Sequence, residues 1–336
     1  MKLLNIKLNN FRNHIDSSYD LENELIITGL NGSGKTSILE SIYVLFSFKT
    51  FKKQPINALI NFNSDFLRIE SNIMNKELLY NSVYFYDKKR STKLNGEEIL
   101  DLGSYLYNNP IALYTPEYLG VLSKEQSDRR NFIDKFLFYS DISYLQNLKT
   151  YNRLIAQKQT EFNKDYYDKI YIDTLNDEII KLSNIIYEKR KKFISNINNE
   201  LKNIYSLVDF NIENVYLGYS SNTSEYDLLD KEKIFKKNLY GIHRDKINMI
   251  LNNNLIEKFS STGQKKTFNL LSIYCFIKYI EDLRKINIIT LLDDFEAALD
   301  MNRAIFLKDL FSSKRQVIYT GIDNLKLKFN NEINLI

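Results

Sequence analysis

Eight residues, Gly29-Leu30-Asn31-Gly32-Ser33-Gly34-Lys35-Thr36, read G-x-x-x-x-G-K-T, the pattern of a phosphate-binding loop. Three of the ten glycines in the 336-residue chain fall between positions 29 and 34. Such a loop turns bare backbone N–H groups onto a polyphosphate, and only glycine lets the main chain come that close. The flanks fit. Leu25-Ile26-Ile27-Thr28 is a short apolar run of strand type, and Ile38, Leu39, Ile42, Tyr43, Leu45 and Phe46 recur afterwards at helical spacing. Strand, glycine loop and helix in this order place the chain in the α/β class. Gly29, Asn31, Gly32, Ser33, Gly34, Lys35, Thr36 and Ser37 are the expected ATP contacts.

A phosphate loop needs an acid at the end of a neighbouring strand to hold Mg2+. Ile288-Ile289-Thr290-Leu291-Leu292 is apolar enough for a strand buried in a parallel sheet. It delivers Asp293 and Asp294 at its C-terminal edge, where ligands sit in such sheets. Asp293 is expected to hold magnesium together with the Thr36 hydroxyl, and Asp294 to orient or deprotonate the attacking water. A plain surface turn is the alternative for this pair. Upstream, Ser261-Thr262-Gly263-Gln264 reads as a helix start that presents a hydroxyl, a glycine and an amide at the positive end of a helix dipole. An ordinary helix cap would look the same. Transporter-type and SMC-type ATPases place their S-x-G-Q signature here, one helix before the acid strand. In those families the signature of one subunit caps the ATP of the other, so Ser261, Gly263 and Gln264 would complete the site only in a dimer.

Composition narrows the class. An apolar content of 44% supports a sizeable core, and no run approaches the roughly 18 apolar residues of a membrane span. Leu4, Ile6 and Leu8 alternate with polar residues, which reads as a strand and not a secretory signal. One cysteine excludes an internal disulfide and, with two histidines, argues against zinc. A reducing cytoplasm is the expected compartment. The net charge of +4, from 46 basic and 42 acidic residues, permits nucleic-acid binding without requiring it.

Up to about residue 115 the texture is short and β-like, with a hairpin turn expected at Asn95-Gly96. Between Ser123 and Tyr205 it becomes long, charged and helical, with a turn expected between Glu161 and Tyr171. The β pattern then returns, and a second helix-plus-strand block starts near Phe259. The expected architecture is an ATPase lobe from residues 1–115 and 208–336 with a helical lobe, 116–207, inserted and no long coiled coil.

With loop, signature and acid pair in this order, the chain resembles the RecF family of SMC-like ATPases over nearly its whole length. Asn10-Phe11-Arg12-Asn13 matches the family's N-F-R-N, and Ser37-Ile38-Leu39-Glu40-Ser41-Ile42 its first helix. Lys93-Leu94-Asn95-Gly96 and Tyr114-Thr115-Pro116-Glu117 match further family segments. Arg129-Arg130 with Phe132 and Asp134 resembles R-R-x-F-x-D, and Gly241-Ile242-His243-Arg244-Asp245 resembles G-P-H-R-D. Leu291-Leu292-Asp293-Asp294 and Leu299-Asp300 match the C-terminal pieces. Ile242, Tyr118 and Ala298 depart from the usual proline, aspartate and glutamate.

The resemblance implies an ABC/SMC-type ATPase head in which Arg12 and Asn13 lie near ATP. It implies an ATP-dependent homodimer that holds double-stranded DNA near single-strand gap junctions. Partners would be RecR, with RecO and RecA in the pathway, and slow hydrolysis would release the clamp. A transporter ATPase subunit, a nuclease-fused ATPase and an ATP-binding switch with little hydrolysis are the rival readings. The basic runs Lys88-Lys89-Arg90, Lys189-Arg190-Lys191-Lys192, Lys236-Lys237 and Lys265-Lys266 read as solvated faces or as contacts to the DNA backbone. His14 and His243 read as structural, Cys275 as core, and Thr320 as occupying the place of a γ-phosphate sensor.

Overall fold

The computed structural model describes all residues except 53, 76, 118–119, 123–124, 207–213, 322–326 and 336. Tyr118, one of the departures noted above, lies outside the described residues. The chain divides into two compact units. The first comprises Met1–Leu119, Thr262–Ile277 and Arg284–Ile336, and the second Gly120–Ser261 with Lys278–Leu283.

In the first unit the strand Glu24–Gly29 lies inside a five-stranded sheet whose order is Glu332–Leu335, Glu24–Gly29, Val317–Thr320, Ile289–Leu292, Ile111–Tyr114. Every pairing is parallel. Leu25, Ile26, Ile27, Ile289, Leu291 and Leu292 are all at most 2% exposed, as apolar runs covered on both faces must be. The helix Lys35–Ser47 follows the phosphate loop and buries Ile38, Leu39, Ile42, Leu45 and Phe46. An antiparallel sheet, ordered His14–Asp20, Asn5–Phe11, Leu67–Asn75, Leu78–Tyr86, Arg90–Leu94, Glu97–Glu98, shares this core. Its hairpin turns at Asn95 and Gly96, both in the left-handed region (φ 51° and 86°), as the Asn-Gly pair requires. Gln316 joins the short strand Lys2–Leu3 to the parallel sheet, with its amide accepting from the Leu3 N–H at 2.7 Å and donating to the Leu3 carbonyl at 2.8 Å.

The second unit is built on the helices Gln126–Ser140, Ile142–Phe162 and Lys169–Tyr205. The turn between the latter two falls where the sequence placed it. The sequence ended the insertion at 207, within residues that are not described, whereas the second unit runs on to Ser261. The reason lies in the strand Val215–Ser220, which pairs with Lys246–Leu251. Its open edge is taken by Asn198 of the long helix, which donates to the Leu217 carbonyl at 3.0 Å and accepts from the Leu217 N–H at 2.8 Å. The strands are thereby fastened to the helices.

Arg190 corrects the reading of its basic run. It is 1% exposed and ion-paired with both Asp134 (2.8 Å) and Asp245 (2.6 Å). It also donates to the Ile242 carbonyl at 2.8 Å, and the hydroxyls of Tyr144 and Tyr219 donate to the same two carboxylates. Burial works against the guanidinium charge, and Asp134, Tyr144 and Asp245 outweigh it, so the group is held charged. Arg130 closes the network on the Asp245 carbonyl at 2.7 Å. The R-R-x-F-x-D and G-x-H-R-D segments thus meet around one arginine that neither segment contains. His243 accepts or donates with the Tyr151 hydroxyl at 2.6 Å, and burial pushes its imidazole down to about 4, so it is structural and neutral. Among the described residues no helix is long and apolar enough to cross a membrane.

Replacing Arg190 leaves two buried carboxylates without their cation. Arg190→Met should cost about 3–5 kcal/mol of folding stability, by the usual penalty for breaking a buried pair. Urea unfolding measures it, and a midpoint equal to that of the unmodified chain would refute the network's role.

Candidate functional site

The phosphate loop stands where the parallel strand Glu24–Gly29 ends and the helix Lys35–Ser47 begins. Gly29, Gly32 and Gly34 all have positive φ (140°, 89° and 107°), which explains the glycine spacing. A Cβ on Gly29 would fall 2.3 Å from the Leu335 carbonyl, so the last strand also enforces glycine there. Asn31 and Gly32 are exposed, while Ser33, Thr36 and Ser37 are half-buried. Lys35 is 7% exposed and folds back over its own loop, donating to the carbonyls of Gly29 (2.6 Å) and Leu30 (2.9 Å). Those bonds keep the ammonium ready at the loop's centre.

The acid pair meets the loop. The Thr36 hydroxyl lies 3.1 and 3.2 Å from the two Asp293 carboxylate oxygens. Thr320, at the end of the neighbouring strand, donates to Asp293 at 2.6 Å and accepts from the Asp294 N–H at 2.9 Å. Thr320 thus holds both acids in place, which gives a physical basis for its position beside the phosphate loop. Burial pushes the Asp293 carboxyl up; the Thr320 bond opposes this and the Asp294 charge adds to it. A carboxylate held at that cost, beside a hydroxyl, is relieved by a hard divalent cation. Mg2+ fits the donor set, since it takes one or two protein oxygens and fills its shell with phosphate and water. Among the described residues no group of three or more His, Cys, Asp and Glu is poised to hold a metal.

The signature helix, Thr262–Arg284, reaches the acid loop from the other side. Lys266 departs from the reading of Lys265-Lys266 as a surface run: it is 7% exposed and donates to the carbonyls of Asp294 (2.6 Å) and Ala297 (2.7 Å). Burial pushes its ammonium down to about 8, against the pull of Asp294, Asp293 and Glu296. It lies 5.3 Å from the Tyr114 ring centroid. Gly263 packs so closely that a Cβ would stand 2.8 Å from the Ala298 carbonyl. Asp294 and Ala298 both adopt left-handed backbone (φ 48° and 61°), so this loop is strained and pinned together. Asp300 caps the helix Met301–Ser312, accepting from the Arg303 N–H at 2.9 Å. Ser261 is exposed and belongs to the second unit; Gln264 is half-buried at the start of the signature helix.

Arg12 does not face solvent freely. Its Nε pairs with Glu40 at 2.6 Å, and one terminal nitrogen is buried without a hydrogen-bond partner. Glu40, fully buried on the phosphate-loop helix, also accepts from Thr50. Sequence reasoning gave Glu40 no role and read Lys266 only as a solvated face or DNA contact, although a glutamate on the apolar face beside Leu39 and Ile42 was a readable signal. Asn13 donates to the Ser33 carbonyl at 3.1 Å.

No family model matches the chain. Curated relatives do. A protein of Lachnospira eligens named DNA replication and repair protein RecF is 28% identical over 98% of this chain and 94% of its own length. Its namesake in Chlorobaculum tepidum is 27% identical over 98% and 96%, and that of Acholeplasma laidlawii 27% over 95% and 93%. A solved structure of the recombination mediator protein RecF with ATP superposes with a TM-score of 0.88 at 19% identity, covering 99% of this chain and 95% of that one. An SMC head bound to the C-winged helix domain of ScpA gives 0.57 at 13% identity, covering 96% and 90%. The resemblance to RecF is borne out, and the fold is shared with solved RecF and with an SMC head.

Lys35→Ala removes the ammonium that lies over the loop. ATP affinity, followed by titration with a fluorescent nucleotide, should fall about 100-fold for the loss of charge-assisted bonds to phosphate; undiminished affinity would refute this placement of the site.

Proposed function

We propose, from a likeness to RecF that spans nearly the whole chain, that this protein is an ATP-dependent DNA-binding ATPase of recombinational repair. The observation that carries the reading is the meeting of Thr36 with Asp293, 257 positions apart, at 3.1 Å. That pair, with Lys35 beside it, is what a triphosphate with its cation requires.

In this account the backbone N–H groups of the loop cradle the phosphates, and Lys35 exchanges the carbonyls of Gly29 and Leu30 for β- and γ-phosphate oxygens. Thr36 and Asp293 would hold Mg2+, which would supply neutralisation of phosphate charge. Asp294, fixed through its N–H by Thr320 and through its carbonyl by Lys266, orients the attacking water. Ser261, Gly263 and Gln264 from a second copy cap the γ-phosphate, so ATP drives a homodimer. The dimer holds double-stranded DNA near single-strand gap junctions and works in the cytoplasm with RecR and RecO to help load RecA. Slow hydrolysis releases it.

Binding of a labelled gapped duplex, across protein concentration, tests this directly. With Mg-ATP, binding should be steeper than first order in protein and at least about tenfold tighter than with Mg-ADP, and it should weaken with salt. Asp294→Asn should keep the ATP-bound complex on DNA for longer than the unmodified chain. Equal, weak binding in both nucleotides would contradict the reading and leave an ATP-binding switch for a protein partner in its place.

A further inference from the structure

His14 stands one residue beyond the N-F-R-N segment, on the strand His14–Asp20, and is 5% exposed. Its Nε2 lies 3.4 Å from the Gly34 carbonyl, and its Nδ1 lies 3.3 Å from the Tyr19 hydroxyl. A carbonyl only accepts, so Nε2 carries the proton and Nδ1 accepts from Tyr19, which fixes the tautomer. Tyr19 also meets the imidazole edge-on, with ring centroids 5.9 Å apart. The Gly34 carbonyl simultaneously accepts the Ile38 N–H at 3.1 Å, the first bond of the following helix. One residue earlier, Asn13 holds the Ser33 carbonyl. A Cβ on Gly34 would fall 2.7 Å from both the Asn13 amide nitrogen and His14 Nε2, so the two side chains lie directly over this glycine.

The consequence follows from peptide geometry. In a trans peptide the C=O and the N–H point in opposite directions. The Ser33 carbonyl shares its peptide plane with the Gly34 N–H, and the Gly34 carbonyl shares its own with the Lys35 N–H. Holding both carbonyls on the outside of the loop aims both N–H groups at its inside, where a phosphate sits. We propose that His14 is a positioning residue for nucleotide binding, which with Asn13 locks the Gly34 and Lys35 peptides in the orientation that receives phosphate. Burial lowers the His14 imidazole from its ordinary value, which keeps the accepting Nδ1 available to Tyr19.

This inference rests on the phosphate-loop reading and adds a residue to it. Its test is a fluorescent-nucleotide titration of the full chain in four forms, the unmodified protein, His14→Ala, His14→Leu and His14→Gln, with thermal melting alongside. His14→Ala and His14→Leu should lose about five- to tenfold in affinity, the size of one ordinary net hydrogen bond. The loss should be the same for ATP and ADP, because the loop N–H groups serve the phosphates common to both. His14→Gln, which keeps an N–H donor, should recover most of the affinity, and the melting temperatures of the three variants should stay together. Unchanged affinity in His14→Ala overturns the proposal, as does recovery in His14→Leu but not in His14→Gln, which would make space-filling the whole effect. An unmodified chain that binds neither nucleotide would instead overturn the phosphate-loop reading itself.

Discussion

The carboxylate of Asp293 is the point on which the site depends. It is 5% exposed and receives hydroxyls from Thr36 and Thr320, which end up beside it only because three strands run parallel in one sheet. A buried acid in that position is costly, and burial pushes its pKa up. The two threonines lower that cost without removing it, which leaves the group suited to a cation. Other side chains fix the loops on either side of it: Lys35, Asn13 and His14 hold carbonyls of the phosphate loop, and a second group holds the acid loop. Lys266 and Gly263 do the latter from the signature helix, by bonding or abutting the carbonyls of Asp294, Ala297 and Ala298. The start of the helix Thr262–Arg284 is thus held to the acid loop within the first unit.

The second unit shows the same logic without any ligand. Arg190, two carboxylates and two tyrosine hydroxyls form a connected polar set in the buried interior. A well-packed hydrophobic replacement of such a set can match its stability on energetic grounds, since buried ion pairs repay their desolvation only partly. What the set adds is registration. Its members come from the helices Gln126–Ser140, Ile142–Phe162 and Lys169–Tyr205, the strand Val215–Ser220 and the residue before Lys246–Leu251, and they meet only in one arrangement of those elements.

How much of this was readable beforehand depends on how local the signal was. The phosphate loop, its strand and its helix were legible because glycine spacing and apolar periodicity act within a few residues. The Asp293-Asp294 strand was legible for the same reason, as was the Asn95-Gly96 turn. Arg190 was misread because it sits in Lys189-Arg190-Lys191-Lys192, where its neighbours are solvated and its own burial is set by Asp134 and Asp245, more than 50 positions away in each direction. Lys266 hid in the same way beside Lys265. The strands from Val215 to Leu251 read as part of the ATPase lobe, whereas they cluster with the helices, to which Asn198 fastens their open edge. Periodicity reports which face of an element is covered. It carries no information on which element does the covering.

The central claim is that Asp293 and the phosphate loop form one site for nucleotide with Mg2+. Calorimetric titration of a slowly hydrolysed ATP analogue into the unmodified chain and into Asp293→Asn, each with and without Mg2+, tests it most directly. The account predicts that Mg2+ tightens binding about tenfold or more in the unmodified chain, and that Asp293→Asn still binds the analogue but loses this dependence on the metal. Equal dependence on Mg2+ in both proteins would contradict it.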